Sequence, residues 1–215
     1  HQFGNVKEGG RIDTHKLVET YRNYLQENNG IRFEKFIHND IKFIDHTIQY
    51  QDIEVQKIVF AEGFGLKENP YFNHLPLEEV KGETITIYAP ELEIDFLLKS
   101  TLFVMPIGDN YYKVGATFNH VDKTSIPSIE GREELVAKLK KVLAVPYTIV
   151  DQAAGIRPAV KDRRPMVGKH QQFNNLAVLN GLGTRGVMIA PIVAKQLFNH
   201  LENNGLLDPE TDIKR

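Results

Sequence analysis

Residues 155–191 read GIRPAVKDRRPMVGKHQQFNNLAVLNGLGTRGVMIAP. Near the end of this stretch, Leu176-Ala177-Val178-Leu179 has the length and aliphatic content of a buried strand. Glycines at 181, 183 and 186 follow at once, and a helix is expected beyond them over about residues 191–201. Glycines at a strand-to-helix junction let backbone N–H groups come close to a ligand and tolerate positive φ. The helix start adds unpaired donors and partial positive charge. Strand, bare turn and helix start make a cradle for an electron-rich group; the plain alternative is a glycine turn that only tightens a corner.

Taken literally, Gly181 to Gly186 is a G-x-G-x-x-G. The dinucleotide fingerprint of that form belongs in a βαβ unit, with a second strand and an acidic residue roughly 20 positions on. Here the helix is followed only by ENNGLLDPETDIKR, and Glu202 falls at the helix tail rather than at a strand end. The Rossmann reading of this hexapeptide is therefore rejected.

The first half of the stretch adds Gly155-Ile156-Arg157-Pro158 and then Asp162-Arg163-Arg164-Pro165-Met166-Val167-Gly168. The order G-I-R-P, D-x-x-P-x-x-G, strand, glycine turn and helix resembles the C-terminal region of the D-amino acid oxidase / glycine oxidase family of FAD-dependent oxidoreductases. Upstream, residues 58–65 (IVFAEGFG) resemble that family's strand ending in A-x-G. Residues 75–84 resemble its L-P-x-x-x-V-K-G-x segment, and Met105-Pro106 to Val114-Gly115-Ala116-Thr117 its hairpin ending in G-A-T. Four blocks in one order over about residues 58–194 make the resemblance specific.

The resemblance implies an α+β fold: an antiparallel-sheet substrate domain with a helix, plus the remaining part of an FAD-binding α/β domain. Residues 1–68 would be partial FAD-binding domain, 69–149 the substrate domain, and 150–215 the C-terminal part of the FAD-binding domain. It implies oxidation of the C–N bond of an amino acid or N-substituted glycine, with FAD as cofactor and a small amine or amino acid as substrate. Arg157 matches the arginine that grips the substrate carboxylate, a role suited to its planar fork; a structural ion pair is the alternative. Gly181, Gly183, Thr184, Arg185, Gly186, Val187 and Met188 match the segment whose backbone donors approach the flavin, and Ala61 and Gly63 the strand end near the nucleotide. Arg185 has a salt bridge as its alternative role. No side chain is assigned as a catalytic acid or base. Phe103 stands nearest to the place where family members often carry a carboxylate-binding tyrosine. The GLGTRG segment is more similar to the oxidase domain of the bacterial bifunctional enzyme that modifies a tRNA wobble uridine.

The chain opens His1-Gln2-Phe3, and residues 1–60 hold no glycine-rich pyrophosphate turn fed by a strand. On the resemblance it is expected to be the middle and C-terminal part of a longer flavoprotein, with little FAD affinity and no activity of its own. Two other functions stay open: a non-catalytic binding module that keeps the fold, and a same-fold oxidoreductase acting on a hydroxy acid.

Composition narrows the rest. The 215 residues are 41% hydrophobic and 25% charged, an ordinary globular balance. A net charge of −2 gives no general electrostatic reason to expect nucleic-acid binding. Cysteine is absent, which excludes disulfides and thiolate sites and suits a cytoplasmic setting. The eight histidines lack H-x-x-x-H or H-x-H spacing, so no metal centre is expected. No apolar run reaches the roughly 20 residues of a membrane span.

Residues 1–11 are expected as loop. A helix capped by Asp13 should turn Leu17, Val18, Tyr21, Tyr24 and Leu25 inward and end at Asn28-Asn29-Gly30. Strands are expected over 31–36, 41–48 and 53–60. A loop punctuated by Pro70, Pro76 and Gly82 should precede a strand over 84–88. Runs over 97–107 and 111–118 should form a hairpin across Gly108-Asp109-Asn110, followed by a helix over 130–143.

Overall fold

The computed structural model describes residues 4–215. Of the loop expected over 1–11, residues 1–3 lie outside the described residues, and 4–13 carry no helix or strand. The architecture is mixed α+β, with three sheets and three α-helices among the described residues.

The largest sheet has five antiparallel strands: β5 (Leu77–Tyr88), β6 (Leu98–Lys99), β7 (Phe103–Gly108), β8 (Tyr111–Gly115) and β9 (Thr148–Val160), in the order β6-β7-β8-β5-β9. The β7–β8 hairpin turns at Gly108-Asp109-Asn110, all three with positive φ, as the turn residues foretold. Along the centre of β5, Lys81, Glu83, Ile85 and Ile87 are buried on one face. Ile85 and Ile87 join Val104, Tyr112, Val114 and, from helix α2 (Ile129–Leu139), Leu135 and Leu139 in one core. Ser128 caps α2 by accepting the Gly131 N–H at 3.0 Å. Burying side chains such as Leu135 stabilises this layer by about 1.5–3 kcal/mol each.

A second sheet joins β4 (Ile58–Phe60), β10 (Met166–Lys169) and β11 (Leu176–Asn180), in the order β10-β11-β4. β11 pairs parallel with β4, so the two strand ends after Phe60 and Asn180 emerge side by side. Helix α3 (Gly186–Asn203) packs Val193 and Leu197 against Val167 and Ala177 of this sheet. The small meander of β1 (Ile41–Ile44), β2 (Thr47–Tyr50) and β3 (Ile53–Val55) shares a core with β4, centred on Phe60, Phe72 and Leu66.

Several elements depart from expectation. The 31–36 run is not a strand. Residues 41–48 are two strands, because Asp45 takes φ 47° and reverses the chain. The 53–60 run is also split, its halves serving different sheets. β5 begins at Leu77 and passes straight through Gly82, which had been read as loop punctuation. Helix α3 starts at Gly186, with Pro191 inside it. Helix α1 (Thr14–Glu27) forms as expected, with Asp13 accepting the Lys16 N–H, but it buries no residue: Leu17, Val18, Tyr21 and Tyr24 face outward.

Candidate functional site

The face of the five-stranded sheet away from α2 is unusually bare. Register places Phe103, Gly115, Thr84 and Ala153 in one row across β7, β8, β5 and β9. The next row pairs Gly82 with Gly155, and the next Val80 with Arg157. A Cβ at Gly115 would lie 2.7 Å from Thr84 Cγ2 and 2.9 Å from the Phe103 ring, so that glycine is needed for the row to close. Gly155 and Ala153 are exposed. Arg157 covers Gly82, and Thr84 and Phe103 cover Gly115, so the open part of this face is Gly155 with Ala153 beside it.

Arg157 reaches back from β9 over Gly82. Its Nη1 donates to the Thr117 carbonyl at 3.2 Å, and its Cζ stands 4.6 Å from the centre of the Phe118 ring. Burial draws its pKa down from the ordinary guanidinium value. Arg32, Arg164 and Arg215 each pair with a carboxylate, whereas Arg157 pairs with none among the described residues. A partly desolvated cation whose neighbours are a carbonyl and a ring is well placed for an external anion.

The glycine turn after β11 stands beside the same strand. Residues Gly183–Arg185 form a 3-10 turn that packs on β9. Gly181 (φ 71°) presses on β9: a Cβ there would meet Val160 Cγ2 at 2.6 Å. Gly63 (φ 60°) faces Pro158, next to Arg157, and its carbonyl accepts the Asn180 Nδ2 amide at 2.9 Å. Gly183 (φ 56°) has open space where a Cβ would stand. Thr184 and Arg185 are exposed, and Gly186, Val187 and Met188 form the uncapped first turn of α3. The structure therefore brings Gly63, Gly181 and the 183–185 turn against the strand that carries Arg157. Ala61 is exposed at the end of β4.

Sequence reasoning missed the polar cluster behind Arg157. Lys81 and Glu83, on the face opposite Gly82, are almost wholly buried and 3.4 Å apart. Lys81 Nζ also donates to Asp122 Oδ2 at 2.6 Å and to the Ile126 carbonyl at 2.5 Å. Glu83 accepts from Ser128 N (2.8 Å), Ser128 Oγ (2.5 Å) and Gln152 Nε2 (2.8 Å). Burial alone pushes the Glu83 carboxyl up, but these donors and Lys81 outweigh it and hold the pKa below its usual value. The sequence carried no signal for it, because charges alternating with apolar residues in a strand ordinarily mark a solvent-facing side.

The profile of the DAO family, described as FAD dependent oxidoreductase, matches residues 5–199. The chain belongs to this family. It is 27% identical to the glycine oxidase of Bacillus subtilis (strain 168) over 159 residues, covering 71% of this chain and 42% of that protein. It is 29% identical over 147 residues to the tRNA 5-methylaminomethyl-2-thiouridine biosynthesis bifunctional protein of Idiomarina loihiensis, covering 65% of this chain and 23% of that one. The solved iminodiacetate oxidase of Chelativorans sp. BNC1 superimposes with a TM-score of 0.71 at 18% identity, over 93% of this chain and 59% of that one. The chain thus spans less than half the length of these curated relatives. Among the described residues no helix is long and apolar enough to cross a membrane.

Proposed function

We propose that the protein containing this chain oxidises the C–N bond of an amino acid or N-substituted glycine, with Arg157 holding the substrate carboxylate. The observation that carries this reading is the half-buried Arg157 guanidinium, unpaired among the described residues, at the rim of a bare sheet face and beside the glycine turns. Glycine oxidase and iminodiacetate oxidase, among the proteins this chain is similar to, carry names that fit such a substrate.

On this reading residues 69–149 supply the substrate face, and residues 1–68 and 150–215 contribute to the cofactor side. Ala61 and Gly63 stand where the nucleotide part of FAD would lie; Gly181, Gly183, Thr184, Arg185, Gly186, Val187 and Met188 would border the flavin. The cradle fits such a group: Gly183 leaves space for it, and the α3 start offers N–H donors to an electron-rich ring. FAD, when bound, accepts the two electrons and the hydrogen from the substrate α-carbon. The chain's own residues bind and orient: Arg157 fixes the carboxylate, and the open surface at Ala153 and Gly155 lets the α-carbon settle against the sheet.

The test is an amine panel under air with the full-length protein, pairing carboxylated substrates with carboxylate-free analogues. Arg157→Ala should lower kcat/KM for the carboxylated members roughly 100-fold, the worth of a charge-assisted hydrogen-bond pair, and leave the analogues within a few-fold. Equal loss on both sets, or turnover of hydroxy acids in place of amines, would sink the reading.

A further inference from the structure

We propose that Gly82 is a specificity-determining position: its bare Cα is the floor on which the Arg157 guanidinium lies, and the opposing Thr117–Phe118 segment is the wall that aims it. This rests on Arg157 being the carboxylate anchor.

A glycine inside a strand weakens it, and so calls for a reason. Backbone geometry supplies none here, because Gly82 is absent from the positive-φ glycines. Space does. A Cβ at 82 would fall inside the guanidinium, overlapping Nη2, Cζ and Nη1 of Arg157. Arg157 lies opposite Val80, so Gly82 is its diagonal neighbour, within reach of a long side chain.

The wall is tied down on both sides of that glycine. Thr117 N donates to the Glu83 carbonyl at 3.2 Å, and Glu83 N donates to Thr117 Oγ1 at 2.9 Å. Asn119 and Lys81 exchange main-chain hydrogen bonds of 2.9 Å each way. Phe118 is thereby held opposite Gly82, with its ring 4.6 Å from Arg157 Cζ. The Lys81 and Glu83 side chains lock the same stretch from the opposite, buried face. Floor, ring and carbonyl leave the fork one resting direction, with Nη2 and Nε unspent on protein acceptors among the described residues.

Any side chain at 82 lifts the fork off this seat. The displaced atoms are the end of a flexible chain, so the fold survives while the anchor is misaimed. Gly82 thus sets which acids the site accepts and how tightly, without touching them.

The experiment titrates benzoate and its neutral isostere benzamide into the FAD-loaded full-length protein by calorimetry. The neighbouring Phe118 ring suits an aromatic probe. Gly82→Ala should weaken benzoate at least 10-fold and benzamide less than 2-fold, with little change in unfolding temperature. Combined with Arg157→Ala, it should add nothing further. Phe118→Leu, at an exposed position, provides a second variant that should lower the benzoate-to-benzamide preference several-fold. If Arg157→Ala loses benzoate but Gly82→Ala and Phe118→Leu keep the wild-type preference, the role of Gly82 is wrong and the anchor stands. If wild type does not prefer benzoate, or Arg157→Ala keeps that preference, the anchor reading falls and this inference with it. Equal weakening of both probes by Gly82→Ala, or its failure to fold with Phe118→Leu unaltered in preference, also overturns it.

Discussion

A buried cation, Lys81, and a half-buried one, Arg157, lie on opposite faces of β5, and their surroundings differ. Lys81 has Asp122, Glu83 and a carbonyl around its ammonium, while Arg157 has a carbonyl and a ring. The hydrogen bond to Asp122 is the main cause of the raised Lys81 pKa, and in return Lys81 holds Asp122 down to about 2. Because the folded-state pKa of Asp122 lies below its ordinary 3.8, its contribution is complete above that value and is lost as pH falls toward 2. Lys81 has the opposite sign: its contribution is complete below its ordinary 10.5 and fades only as pH rises through the higher folded value. Asp122→Asn should therefore flatten the acid limb of stability between about pH 4 and 2. Urea midpoints across that interval measure it; curves running parallel to wild type would show that the pair does nothing for stability. Asp52, held to about 2 mainly by its hydrogen bonds with Arg32, supplies an acid dependence that the variant keeps.

At the scale of elements, the contrast is between helices that bury a face and one that does not. Leu135 of α2 is fully buried among Ile85, Val104 and Leu139, so Leu135→Ala should cost about 2–5 kcal/mol in denaturant unfolding. Leu17 and Tyr21 of α1 repeat at helical spacing just as regularly, yet both are exposed, and Leu17→Ser should cost no more than about 0.5 kcal/mol. Equal costs for the two would mean that α1 is packed as α2 is. The same pair shows what periodicity conveys. It located both helices, and Asp13 marked the start of α1, because capping and spacing are local properties. It could not tell which face meets a partner, since burial is decided by other parts of the chain. The hairpin at 108–110 was legible from its turn residues. The start of β5 was not, because Gly82 resembles a turn signal in sequence and makes room for a guanidinium in space. Arg157 and the glycine turn were picked out from the sequence, and the structure brings both to β9; the Lys81–Glu83 cluster was not, because its members lie up to 69 positions apart, as Glu83 and Gln152 do.

Over the whole molecule, exposed apolar side chains occur both around the five-stranded sheet, at Phe96, Leu97 and Ile129, and on α3, at Val187, Met188, Ile192 and Phe198. The layer of α2 and the five-stranded sheet is closed, with Leu135, Leu139, Ile85 and Ile87 all inaccessible. On the proposed reading the glycine cradle would supply donors for a flavin ring, but among the described residues no βαβ unit carries the glycine-rich turn that holds a pyrophosphate's two negative charges. Ring contacts, with Ala61 and Gly63 at the nucleotide, must then offset the entropy of immobilising a large, flexible dinucleotide, which costs several kcal/mol. Residues 1–215 should consequently bind FAD weakly, with a dissociation constant in the range of about 100 µM or above, equivalent to roughly 5.5 kcal/mol or less. Riboflavin, which lacks the adenylate and pyrophosphate, should bind only several-fold more weakly than FAD, because on the proposed reading most of this chain's contacts border the shared ring and only Ala61 and Gly63 the nucleotide. Fluorescence titration of both flavins measures the difference. A sub-micromolar, stoichiometric FAD complex with riboflavin much weaker would place a pyrophosphate site within these residues, and the assignment of the 181–188 turn to the ring would have to be given up.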